Sequence, residues 1–425
     1  MNRNEASWVS LCLGVTALAG LLAPAVAAAT TVDLLTETEA RARAAQVSDV
    51  SEDVTLTFTA GSRSFGGAAV LRFRLAGTGS ALRLDFKGPA PKRLSVNGAN
   101  LELPDHDGNR LLLPAAALRI GPNVVEVGYE NPYDTSGVGV CHIVDPADGR
   151  EYVYTDFEPF NAHRLLPCFD QPDLKARFRV TIEAPADWVA VANGPESARA
   201  PASGGAVAHR FEPTPSLSTY LLFVGAGPYA VFSDPHCAVP SRLFARQSMK
   251  GHVDTRELFE LIRHGLDFYR EYFGMAYPFA KYDQLFLPEF NTSAMENPGA
   301  VTFNERFLFR HAPTTKERME RAEIVLHEMA HMWFGNLVTM RWWDGLWLNE
   351  SFATYVGNLA LARATRYKDA FEEFLTVQKS EAYRKDQLPT THPVAGTVAD
   401  TNAAFDSFDD ITYGKGASLL KQLAF

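Results

Sequence analysis

Between about residue 50 and residue 235, apolar side chains recur at every second position. Val54, Leu56 and Phe58 alternate with polar neighbours. So do Leu71, Phe73 and Leu75; Leu82, Leu84 and Phe86; Val125, Val127 and Tyr129; and Phe178, Val180 and Ile182. A period of two sends successive side chains to opposite faces, so each run predicts a strand with one buried face. Asn97-Gly98, between two such runs, predicts a hairpin turn. Pro and Gly punctuate the remainder. Together these signals predict an antiparallel, sandwich-like β domain.

Near residue 240 the period changes. Asp254 and Glu257 form a capping pair. Leu258, Leu261, Ile262, Gly265, Phe268 and Tyr272 then follow at helical spacing, and Gly274 can end the helix. Tyr282 to Phe290 reads as a strand. Helices are predicted over roughly 315–335, 349–364 and 368–385. An apolar helical run begins near Lys415 and reaches the last residue, Phe425. The second region is therefore α+β. No fixed-period repeat or low-complexity tract is evident.

The first thirty residues follow neither period. Arg3 lies in a short polar start, an apolar stretch runs from about Trp8 to Leu22, and Ala25-Val26-Ala27 supplies small residues for cleavage. This is the pattern of a secretory signal peptide over 1–29. A retained anchor is the alternative, although the stretch is short for a spanning helix. No later segment looks transmembrane, so no stable membrane insertion is expected after cleavage. The remainder divides into a β domain over 30–238 and a mixed domain over 239–425.

Composition narrows the function classes. Apolar residues make up 46% and charged residues 21%, which excludes long disorder. The net charge of -10 and the absence of a Lys/Arg run argue against nucleic acid as a partner. Cys12 would leave with the signal, and Cys141, Cys168 and Cys237 allow at most one disulfide. Asn291 and Asn349 begin Asn-x-Ser sequons, both inside stretches that bear candidate chemistry. A glycan there would obstruct the site, which favours a bacterial periplasmic or extracellular location.

That chemistry centres on His327-Glu328-Met329-Ala330-His331. Residues four apart share one helix face, about 6 Å apart along the axis, so two imidazoles can hold one Zn²⁺. Glu328 can then act on a metal-activated water as general base. Apolar flanks, Ile324-Val325-Leu326 and Met332-Trp333-Phe334, place this helix in the interior, where unpaired polar groups are costly. A third ligand is needed, with one position left open. Position 337, where another metalloprotease class carries His, holds Leu337. Glu350, nineteen residues after His331, opens a second helix and completes a His327, His331, Glu350 set for one Zn²⁺ per chain.

The segment from Asn291 to Tyr355 resembles the aminopeptidase N family of zinc metallopeptidases, a branch of the thermolysin-like group. The metal motif with its distant Glu carries the resemblance, together with Ser293-Ala294-Met295-Glu296-Asn297, Thr155 to Phe178, and Tyr413-Gly414-Lys415-Gly416-Ala417. It spans roughly residues 50 to 425. The resemblance implies a saddle-like N-terminal β domain followed by a thermolysin-like α+β catalytic domain, incomplete at its C-terminal end. It implies peptide substrates with a free N-terminus, and leaves the oligomeric state open. Glu296 would bind the α-ammonium and Glu158 would add a second carboxylate there. Ala294 and Met295 would line the cleft, and Tyr413 would stabilise the oxyanion.

Two departures stand out. Ser293 replaces the family's usual Gly, adding a side chain where peptide backbone should approach and burdening any positive φ. Asp156 stands where relatives often carry Gln, and could add a third acid at the ammonium end. Other hydrolases on the same zinc scaffold, such as an epoxide hydrolase, and a non-catalytic scaffold or inactive fragment remain as alternatives. His142 and His163 read as structural, and Trp342-Trp343 as core.

Overall fold

Alternation does produce strands. In the computed structural model, which describes residues 32–102 and 106–424, Val47–Thr57 buries Val54 and Leu56 while their neighbours face outward. The signal-peptide segment 1–29 lies outside the described residues. Ser64–Leu75, Gly121–Pro132 and Ala176–Pro185 repeat the pattern, and Asn97-Gly98 turns Arg93–Val96 into Ala99–Asn100.

These strands belong to an eight-stranded sheet. Its pairs are antiparallel with one exception. Val47–Thr57 runs parallel to Ala176–Pro185, with Val54 opposite Val180. More than a hundred residues separate the two strands, which permits the long crossover that a parallel pair needs. A second, four-stranded sheet contains Gly139–Val144, Glu151–Asp156, Val189–Ala192 and Val224–Gly227. Side chains from both sheets, among them Leu56, Phe178, Val153 and Val224, form one core. Ahead of the first strand, a short helix Glu37–Ala44 that the periodicity did not announce is held by a Thr36–Glu39 capping box.

The second region opens on a five-stranded sheet that takes in Ala230–Ser233, Arg242–Ala245, Asp283–Leu287, Ala300–Asn304 and the edge strand Ala294–Met295. The helix Thr255–Phe273 starts at Asp254, whose side chain accepts from the Glu257 N–H, and stops at left-handed Gly274. The metal-motif helix is Thr315–Ala330, started by a Thr314–Glu317 capping box. It ends earlier than its periodicity suggests, with His331 as its C-cap, and the chain then turns through Gly335, φ 127°. The next helix, Leu346–Ala364, begins three residues before expectation. The predicted helix over 368–385 is interrupted. Ala370–Phe374 passes through a wide π turn, Leu375–Lys379, into Ser380–Lys385.

Glycines set the spacing of these helices. A Cβ on Gly357 would lie 3.1 Å from the His327 backbone, so its absence lets the two ligand-bearing helices touch. On Gly265 a Cβ would meet Met329 Sδ at 2.7 Å. Trp342 and Trp343 are buried in the core that joins the regions. Cys141, Cys168 and Cys237 are free thiols. Among the described residues, no helix is long and apolar enough to cross a membrane.

Candidate active site

The metal-motif helix delivers two of the side chains directly. His327 and His331 lie one turn apart, with their Nε2 atoms 3.1 Å from each other. Glu350, in the first turns of the neighbouring helix, brings Oε2 to 3.4 Å from each Nε2. Two ligand bonds of about 2.0–2.1 Å at a tetrahedral angle place their donor atoms about 3.3 Å apart. The His327, His331, Glu350 set therefore has the spacing of three corners of a Zn²⁺ coordination tetrahedron.

Outer contacts orient the donors. His331 Nδ1 lies 3.0 Å from the Phe334 carbonyl, which can only accept, so Nδ1 donates and Nε2 faces the site. His327 Nδ1 lies 3.4 Å from the Thr354 hydroxyl, one turn beyond Glu350. Gly335 gives His331 room, since a Cβ there would be 3.1 Å from Nδ1. The sequence reading missed Thr354, Phe334 and Gly335, although Thr354 stands at i+4 from Glu350 on the same helix face.

Charge shows what the site lacks. Burial opposes protonation of His331, but Glu296 and Glu350 raise its pKa to about 10. Against its own burial, Glu350 is held down to about 2 by the two imidazoles. Burial pushes Glu328 well above the usual carboxylate range; His331 opposes this, while Glu296 and Glu350 add to it. The carboxylates outnumber the local cations, and a divalent ion where the imidazoles meet would offset them.

All ten candidate residues line one cavity of about 590 Å³. Asp156 ends the strand Glu151–Asp156, and Glu158 follows two residues later. Ala294 and Met295 form the edge strand, and Glu296 comes directly after it. Asn336 donates to the Glu296 carbonyl at 2.8 Å, which ties this segment to the turn after His331. Tyr413 sits in a wide π turn, Ile411–Lys415, with its ring stacked 6.0 Å from that of His327. A Cβ on Gly416 would come within 1.9 Å of Ser351 Oγ, and that hydroxyl donates to the Thr412 carbonyl at 2.7 Å. Burial first, then the surrounding carboxylates, pushes the Tyr413 phenol well above its ordinary pKa, so it keeps its proton.

Two carboxylates are incomplete. Oε1 of Glu296 and Oε1 of Glu158 are buried with no hydrogen-bond partner. Burial and neighbouring acids push Glu158 well above the usual range, and Glu296 is raised as well. Asp156, by burial and then by the Glu296 charge, is raised to about 7. Three acids thus crowd one end of the cavity. Ser293 is free of the strain its substitution suggested: its φ is not positive, and its hydroxyl accepts from Arg306 at 3.1 Å. Of the two sequons, Asn349 is buried and Asn291 is exposed at the cavity edge. A larger cleft of about 770 Å³, between Glu37–Ala44 and residues 339–342, holds none of these groups.

Both regions of the chain are similar to known proteins. Residues 110–221 match the peptidase M1 N-terminal domain, and residues 258–425 match the peptidase family M1 domain. Aminopeptidase N of Streptomyces lividans is 40% identical over 398 residues, covering 92% of this chain and 46% of that protein. Leucyl aminopeptidase of Saccharolobus solfataricus is 35% identical over 342 residues, 80% of this chain and 42% of that one. Tricorn protease-interacting factor F2 of Thermoplasma acidophilum is 36% identical over 272 residues, 64% and 34% of the two chains. The chain spans about half the length, or less, of these relatives.

Proposed function

The chain belongs to peptidase family M1, and from that premise we propose that it is a zinc aminopeptidase, removing single residues from peptides with a free N-terminus. The observation that carries this reading is the pair of buried, unpartnered oxygens on Glu158 and Glu296 beside the His-His-Glu cluster.

Glu296 and Glu158 bind the substrate's α-ammonium through charge-assisted hydrogen bonds. Their fixed distance from His327, His331 and Glu350, which would hold Zn²⁺, limits cleavage to the first peptide bond. A Zn²⁺ held there would supply Lewis acidity toward the scissile carbonyl and a lowered pKa for water. Glu328 takes a proton from the attacking water and delivers it to the leaving amine. Tyr413, protonated and ring-stacked on His327, donates to the developing oxyanion. Ala294 and Met295 shape the wall along which the first residue lies. Asp156 adds negative charge at the ammonium end. An acetylated terminus would leave the two orphan oxygens unpaired and in its way. The leader pattern over 1–29 supports action outside the cytoplasm.

The test is a mass-spectrometric time course on one peptide and its N-acetylated twin. Stepwise loss of single residues from the free peptide alone is the expected outcome. Internal cleavage of both peptides would remove Glu296 and Glu158 from their roles. Failure to cut either, in protein shown to contain zinc, would favour a scaffold.

A further inference from the structure

The cavity has a direction. Glu296 Oε1 lies 4.0 Å from His331 Nδ1, at the C-terminal end of the metal-motif helix. On the aminopeptidase reading, a peptide anchored there by its ammonium and laid across the His327–His331 pair would extend toward Glu323, which lines the same cavity. Glu323 is four residues ahead of His327, about 6 Å along the axis. One residue of extended peptide covers about 3.3–3.6 Å, so Glu323 stands about two residues beyond His327, where only a long side chain on the residue that follows the scissile bond reaches it.

A second cavity, about 350 Å³, opens at that level. Ser293, Glu323, Ile324 and Gln378 line both cavities, so the two adjoin. Met319, Leu361 and Phe374 supply apolar walls. Three carboxylates also line the space, and they differ in their partners. Glu320 pairs with Arg306 at 3.1 Å, and Glu373 pairs with Lys316 at 3.2 Å. Glu323 is buried and has no cationic partner among the described residues. Its Oε1 accepts only from two neutral amides, Asn358 at 3.4 Å and Gln378 at 3.1 Å. The Gln378 carbonyl oxygen, in the π turn Leu375–Lys379, is itself buried without a donor.

We propose that this side cavity receives the side chain of the peptide's second residue, and that Glu323 makes it select a long basic one, lysine or arginine. The apolar walls cover the methylene stem, as such stems cover apolar surface elsewhere. Glu323 then meets the cationic head in a charge-assisted hydrogen bond, and the Gln378 oxygen gains the donor it lacks. An acidic side chain would meet like charge. The direction of the bound peptide rests on the aminopeptidase reading, and the test separates the two.

The experiment uses the Zn²⁺-loaded chain carrying Glu328→Gln, so that peptides bind without being cut. Three peptides with a C-terminal fluorophore differ only at the second residue: lysine, norleucine or glutamate. The lysine peptide is expected to bind about tenfold more tightly than the norleucine peptide, and the glutamate peptide most weakly. Adding Glu323→Gln brings lysine and norleucine within about twofold of each other. Equal affinities for all three before that substitution overturn the proposal without recourse to a second variant. An N-acetylated lysine peptide completes the set. If acetylation abolishes binding while the second residue is without effect, the side-cavity proposal alone fails. If acetylation changes nothing while the lysine advantage persists, the ammonium anchor fails and the charge preference of Glu323 stands. No binding by any peptide at millimolar concentration overturns both.

Discussion

The two regions bury charge in opposite ways. In the N-terminal β region, Arg43 pairs with Asp85 at 2.6 Å and Arg83 with the same carboxylate's other oxygen at 2.9 Å. His163 bridges Asp170 at 2.8 Å and Asp33 at 3.1 Å, and Lys87 reaches Asp33 at 2.5 Å. Cations and anions there are matched. At the candidate active site, Glu296, Glu328 and Glu350 of the second region, joined by Glu158 from the edge of the β region, converge on two histidines, and two carboxylate oxygens have no partner. A buried charge left unpaired costs several kcal/mol, so such a group either keeps its proton or is completed by something outside the chain. Paired charge holds the β region together; unpaired charge marks where a metal and a ligand are expected.

Glu52 is an exception to that division. It occupies an inward position of Val47–Thr57, and both of its carboxylate oxygens are buried without partners. Burial pushes its pKa well above the usual range, so it is carried as the neutral acid.

The largest effect tests the unpaired side of the comparison. Glu328→Gln is expected to lower the proposed aminopeptidase rate by about 10²–10⁴-fold while zinc content by mass spectrometry stays at the wild-type level. His331→Ala should lose the zinc itself. A Glu328→Gln protein that keeps most of its rate would remove Glu328 as the base.

Next comes the paired side. Asp170→Asn breaks the His163 bridge and is expected to cost about 3 kcal/mol in denaturant unfolding at neutral pH. The same bridge gives the wild type a pH signature. Burial lowers the His163 pKa, but Asp170 and Asp33 outweigh it and raise the group from 6.5 to about 9. A raised histidine contributes its full stability below pH 6.5 and loses it as pH climbs through about 9. Stability should therefore decline across that window, and less steeply in Asp170→Asn. A flat wild-type profile there would mean that the bridge adds nothing.

The smallest effect sharpens the exception. A buried acid with a raised pKa penalises the fold above its unfolded pKa, because the unfolded chain releases the proton more readily. Glu52→Gln should therefore stabilise the protein at pH 7 by about 1 kcal/mol, with the gain vanishing near pH 4. Destabilisation at pH 7 would show that Glu52 has a partner in solution.

Much of this was legible in one dimension. Two-residue alternation marked the strands, and the Asp254 and Gly274 caps bounded their helix, because these signals act within a few residues. The four-residue step from His327 to His331 fixes a shared helix face whatever surrounds it, and the flanking apolar residues announced that the helix is buried. The resemblance to a known family added Glu158, Glu296 and Tyr413, which no local spacing connects. Tertiary structure alone decided the rest. The parallel pairing of Val47–Thr57 with Ala176–Pro185 depends on a crossover that periodicity does not register. The break at Leu375–Lys379, which places Gln378 beside Glu323, depends on packing between helices. Whether a carboxylate is paired, as at Asp85, or orphaned, as at Glu296, is settled by residues distant in the chain. Sequence determines what each element can be, because backbone and side-chain preferences are local; only the folded packing determines which charges meet, because burial and distance are properties of the whole.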